Sequence, residues 1–214
     1  MEFDNDLVVG KLRRWEKYLA AYRLPAWEQI PDLGLYMEQV VLLLRQYLDY
    51  LPPELKQPEP ITAAAINNYV RLKVMPAPEK RKYYRVHIAF LIMIFTLKQG
   101  ISINGLQQLL PSTADEEEVR IFYTSYIARL QEVGNFYTAQ TRAAVQDILD
   151  PETSDEGAIE NVIIQSILQS GFSRIMAEKL LHLQDADPQQ VLELEKISDG
   201  RGRHPLGQLQ EKED

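Results

Sequence analysis

ITAAAINNYVRLKVMPAPEKRKYY, residues 61–84, is the stretch on which the reading of this chain turns. Thr62 can cap a helix through its hydroxyl, and residues 63–74 continue it. Ile66, Tyr69 or Val70, and Lys73 or Val74 set the helical spacing, so that Asn67, Asn68, Arg71 and Lys73 look outward together. The helix must end by Met75, because Pro76 and Pro78 cannot continue it. Glu79-Lys80-Arg81-Lys82-Tyr83-Tyr84 then has the composition of a short exposed ribbon carrying positive charge and two aromatic rings. Helix, proline-bounded turn and basic ribbon are the order of parts of a winged helix-turn-helix.

Working outward, residues 85–98 form an apolar helix that ends at Gly100, with the Lys98 charge near its negative end. The apolar run inside it, 88–97 with Thr96 within it, is about half of the ~20 residues that cross a bilayer, so it reads as a buried helix and no membrane partner is expected. A short helix at 103–110 precedes Pro111. Thr113 and Glu116 have capping-box spacing ahead of a long helix reaching Leu149. Within it Val119, Tyr123, Tyr126, Leu130, Val133 and Tyr137 step by four and three, a heptad-like seam that reads as a dimer interface, weakest at Gly134 and Asn135. Beyond Pro151, helices are expected at about 155–170 and 173–184, then a short one from Pro188. Upstream, Leu12, Trp15, Tyr18, Leu19 and Tyr22 share one helical face, a second apolar helix spans 35–51, and prolines 52, 53, 58 and 60 make a stiff connector.

The expected class is all-α, mainly helical. N-terminal helices packing on the core (1–60) lead into a winged helix-turn-helix with a short β-wing (61–111). A long dimerisation helix (112–150), C-terminal helices (151–197) and a flexible polar tail (198–214) follow. With 45% hydrophobic and 25% charged residues, the 214-residue chain can bury a core.

The net charge of -8 is unevenly divided. Residues 61–100 hold seven Lys and Arg against one acidic residue, +6, while 1–60 carry -3 and 101–214 carry -11. A protein meets a polyanion with a local surface rather than its average charge, so the basic island points to duplex DNA. Asn67 and Asn68 can present amides to adenine and Arg71 a guanidinium to guanine. Lys80, Arg81, Lys82 and Arg85 can contact phosphates, while Lys73 belongs to the outward face of the helix. Thr62 joins the interface at the helix start, and Tyr69, Tyr83 and Tyr84 can stack on sugars or bind phosphate, with at least one of them packing in the core.

Other chemistries find no support. The absence of cysteine removes disulfides, thiolate metal sites and cysteine nucleophiles. His87, His182 and His204 lie far apart, without ligand-spaced companions, so no metal is expected. No phosphate-cradling glycine loop, dinucleotide fingerprint or hydrolase motif occurs, so neither an enzyme nor a cofactor is expected. Residues 1–10 lack a basic segment followed by an apolar run, and a cytoplasmic location is the expectation.

Ile66-Asn67-Asn68-Tyr69-Val70, the Val74-Met75-Pro76 turn, Tyr84-Arg85, and the run from Leu97 through Ile103 to Leu109-Leu110 resemble the MerR-type winged helix. Leu24-Pro25-Ala26-Trp27, the Leu-Tyr-Met core of residues 32–39 and the Ile-Asn-Asn-Tyr-Val block are similar, more closely, to a bacterial family known as domain of unknown function number eighteen thirty-six. The likeness covers roughly residues 20–150. It implies a MerR-like fold and a transcription-regulating homodimer paired through the 114–149 helix. The alternative is a protein-protein interaction module, built on a degenerate helix-turn-helix, whose basic face docks an acidic partner or the acidic tail. A small-molecule effector between the C-terminal helices fits either reading, with no residue that names a ligand.

Overall fold

The computed structural model describes residues 3–49, 60–149 and 157–184. Seven α-helices and one 3-10 turn account for most of them: α1 Asn5–Ala21, the turn Trp27–Gln29, α2 Met37–Tyr47, α3 Ala63–Arg71, α4 Arg85–Leu97, α5 Ile103–Leu109, α6 Glu116–Leu149 and α7 Ala158–His182. The proline connector, the helix expected from Pro188 and the polar tail lie outside the described residues.

Helix α4 is the axis of the molecule. His87 through Phe95 are nine consecutive buried residues, so this helix is apolar on all sides and must be surrounded. The sequence supplies the cover on both sides: Val40 and Leu44 from α2, Ile66 and Tyr69 from α3, Leu106 from α5, and Val119 and Tyr123 from α6 join it in one hydrophobic core. At ~1.5 to 3 kcal/mol for each fully buried large apolar side chain, this cluster dominates the stability. Its buried members run from Trp27 to Tyr123, and the two ends are tied where the Tyr123 hydroxyl donates to the Pro25 carbonyl at 2.8 Å.

A second, smaller cluster joins Val9, Val145, Ile148 and Ile159. Here α1 lies along the C-terminal half of α6, with Arg142 paired to Glu16 at 2.7 Å. The core therefore ignores the expected divisions at 60/61 and 111/112, since α2 and the start of α6 bury into the same cluster as α3 and α4.

Local signals place the helix ends. Thr62 Oγ1 accepts from the Ala65 amide at 3.1 Å, and Ser102 Oγ from Gly105 at 3.1 Å, each satisfying a free donor of a first turn. Helix α6 is capped by Asp115, whose Oδ1 accepts from Glu117 and Glu118 at 3.1 and 3.0 Å. The Thr113 hydroxyl instead accepts from Asp115, which corrects the expected capping box. Helix α6 runs through Gly134 without a break, and one helix, α7, stands where two were expected.

The winged helix-turn-helix is not borne out at this level. Among the described residues, α2 ends at Tyr47 and the next helix, α3, begins at Ala63, so no described helix ends within the 3–4 residue turn of that motif. Among the described residues there is no strand. The expected wing is reduced to two isolated antiparallel bridges, Leu35 with Tyr83 and Glu79 with Lys82.

Candidate nucleic-acid interface

Helix α3 ends in a complete Schellman motif. Val74 N–H donates to Tyr69 O and Lys73 N–H to Val70 O, both at 3.0 Å. The residue between, Lys73, has φ 55°, in the left-handed conformation that this motif usually assigns to glycine. Six residues on, Glu79 and Lys82 exchange backbone hydrogen bonds of 3.1 and 2.8 Å around Lys80 and Arg81, whose φ values are 48° and 65°. Two positive φ angles in a two-residue loop are the backbone of a type I′ hairpin turn, where Asn-Gly is the favoured pair. Among the described residues, these three are the only non-glycine positions with positive φ, and no glycine has one. The chain thus holds three cations where a left-handed backbone costs roughly 1 to 2 kcal/mol per side-chain-bearing residue.

The turn is held from three sides. Leu35 and Tyr83 exchange backbone hydrogen bonds of 2.9 and 2.8 Å. The Lys82 ammonium sits 5.6 Å from the centre of the Tyr36 ring. His87 Nδ1 accepts from the Tyr84 amide at 3.1 Å, so the proton resides on Nε2, which donates to Ala77 O at 3.0 Å. Gly34 lets the two segments meet, for a Cβ there would lie 2.7 Å from Lys82 Cδ and 3.1 Å from Tyr84 Cζ.

The expected contact residues divide into two groups. Asn67, Arg71, Lys73, Lys80 and Arg81 are exposed, and Asn68, Lys82 and Tyr84 are half-buried. Among the described residues, none of Arg71, Lys73, Lys80, Arg81 and Lys82 pairs with a carboxylate. Arg71 is steadied by its own helix, donating to Asn68 Oδ1 at 2.7 Å.

The second group belongs to the fold. Tyr69 is 1% exposed and meets Phe95 edge-on at 5.5 Å. Tyr83 is buried, which raises its hydroxyl pKa above the ordinary tyrosine value. The Thr62 side chain is committed to its cap. Arg85 lies over Trp27 at 5.8 Å, donates to Ile30 O at 3.0 Å, and faces Asp32 and Glu116 at 3.7 and 3.9 Å. Tyr69, Tyr83 and Arg85 are therefore core or staple residues, a correction with a common reason: each is turned inward by the elements that flank the turn.

The dimer seam is corrected likewise. Val119 and Tyr123 are fully buried within the chain, and the Tyr126 hydroxyl is hydrogen-bonded to Thr96, so this part of α6 faces α4. Leu130 is half-buried, and only Val133 and Tyr137 are exposed. Sequence reasoning missed Lys98, stacked 5.5 Å over Tyr69. Its signal was the spacing, because Lys98 follows the buried Phe95 at i+3.

Among the described residues no three His, Asp or Glu side chains group to hold a metal ion. A cleft of about 590 Å³ opens between α1 and α2 beside Tyr18, Tyr22, Arg23 and Tyr47. No helix among the described residues is long and apolar enough to cross a membrane.

No curated protein and no solved structure matches the chain. Residues 25–126 match the model of a family described as Domain of unknown function (DUF1836), a description that carries neither fold nor activity. The matched span is the span of the main core, from the Pro25 carbonyl that accepts from Tyr123 to Tyr126 on Thr96. The match thereby supports the DUF1836 family for residues 25–126, the unit built around α4.

Proposed function

We propose that this chain is a DNA-binding transcriptional regulator, acting as a homodimer, that grips duplex phosphates with Arg71, Lys73, Lys80, Arg81 and Lys82 and offers Asn67 to base edges. One observation carries the reading: the only left-handed side chains among the described residues are three exposed cations without carboxylate partners, all inside the +6 segment. Strain held at surface residues of one charge is accounted for when their position matters to a ligand. Lys80 and Arg81 are exposed at the centre of the type I′ turn, which suits a phosphate-contacting loop.

Five phosphate contacts give a log-log salt slope of about -4 to -5. The test is binding to a random duplex across a salt titration, with the double variant Lys80→Asn, Arg81→Gly beside the native chain. Asn-Gly is the favoured sequence for this turn, so the variant keeps the backbone and loses two charges. The slope should fall in magnitude by about 2. No binding by the native chain at low salt ends the reading.

The alternative, a protein-interaction module, draws on the described helices, among which none ends a short turn ahead of α3 as the partner helix of a helix-turn-helix would. It predicts duplex binding that is absent at low salt and a basic turn that captures an acidic peptide instead.

A further inference from the structure

We infer that α7 is the surface through which two copies of this chain associate, antiparallel, with Gly171 at the crossing point. From Ile164 the helix carries Ile164, Ile167, Leu168, Phe172, Ile175 and Met176, with Gly171 on the same face. This is the i, i+3, i+4, i+7, i+8 pattern of a helix face packed against a core. Yet these six side chains are 53% to 69% exposed. The helix is anchored at its two ends, where Ile159 joins the small cluster with α1 and α6 and where α5 packs near Leu181.

Size and charge favour a second copy as the occupant. Leu183, seven residues after Met176, extends the stripe. Seven half-exposed side chains of this size leave on the order of 100 Å² each in water, roughly 700 Å², close to what each partner buries in a standard interface. Residues 161–173 contain no charged side chain, which excludes nucleic acid as the partner of this face. A helix that lies on a lipid surface carries a Lys- and Arg-rich polar face, whereas α7 balances Arg174 and Lys179 against Glu160 and Glu178.

Antiparallel pairing about Gly171 sets Glu160 near the Lys179 and His182 end of the mate, and opposes the two helix dipoles favourably. No Cβ stands at Gly171, and nothing lies within 4 Å of where one would be built, so the two backbones can approach closely at the crossing. The assignment supplies the surface for the homodimer of the preceding reading. A monomer that binds duplex would defeat it and leave DNA binding standing.

The test uses the full chain without DNA. Sedimentation equilibrium should give twice the 24.7 kDa chain mass. Phe172→Glu or Ile167→Glu should return it to the single-chain mass with unchanged far-UV circular dichroism, while Val133→Glu, at an exposed site on α6, stays dimeric. The chain has no cysteine, so Gly171→Cys should form a covalent dimer on oxidation and Ile164→Cys should not. In antiparallel helices crossing at Gly171, the two copies of residue 164 stand about 21 Å apart, beyond disulfide reach. A monomer of the native chain, including one in which residues 185–214 cover α7 in cis, overturns the inference. So does a dimer that survives both glutamate variants, or crosslinking at position 164.

Discussion

Lys73 shows how a single residue can serve two demands that conflict. Its backbone closes α3 in a conformation suited to glycine, and its side chain keeps a positive charge at the surface. Lys73→Gly should therefore raise stability by about 1 kcal/mol, because the left-handed strain disappears. Duplex affinity should fall in the same variant. Urea denaturation and a salt-matched binding assay read the two effects separately, and a stabilised protein with unaltered binding would remove Lys73 from the interface. Nothing in the sequence marks positive φ at a lysine, since backbone conformation there is imposed by the buried Val74 and Met75 that follow. The helix cap at Thr62, by contrast, is local chemistry and is legible in the sequence.

Among elements, the meeting of residues 34–36 with the 79–84 turn is what places the cations. It depends on Gly34, where a Cβ would also stand 3.0 Å from Lys82 Cβ, an atom that cannot move without its backbone. Gly34→Ala should cost about 1 to 3 kcal/mol by overpacking, lower the thermal midpoint, and speed amide exchange at Leu35 and Tyr83. Retained protection at those two amides would show that the turn docks without this contact. The pairing links residues 48 apart in sequence, which no spacing rule in either segment signals. For the same reason the aromatic pair Tyr83-Tyr84 looked equivalent in sequence, while in the fold Tyr83 is buried in the bridge and Tyr84 precedes α4 at the surface edge.

At the scale of the molecule, the hydroxyl of Tyr123 closes the core on Pro25. Burial first, and then the nearby Tyr126 and Tyr47, hold its pKa well above the ordinary 10.0. A group whose folded pKa is raised contributes stability that is complete below the unfolded pKa and is lost as pH climbs toward the folded one. Urea midpoints should thus be insensitive to this residue up to about pH 10 and fall above it, by about 1.4 kcal/mol per pH unit for one proton. Tyr123→Phe should cost about 1 to 2 kcal/mol at neutral pH through the orphaned carbonyl and flatten the alkaline fall. An equally steep fall in the variant would assign it to Tyr47 and Tyr83, whose pKa values are also raised by burial.

By itself the sequence determined the helical class, most helix positions, the buried character of α4 and the isolation of positive charge in residues 61–100. Each of these follows from period, capping chemistry or composition, which act over a few residues. Tertiary structure alone decided which side of each helix is shared. It turned Tyr69, Tyr83 and Arg85 inward, committed the first half of the α6 seam to α4, and left the apolar stripe of α7 uncovered. A periodic apolar face states that something must cover it, and the covering surface is chosen by contacts far apart along the chain.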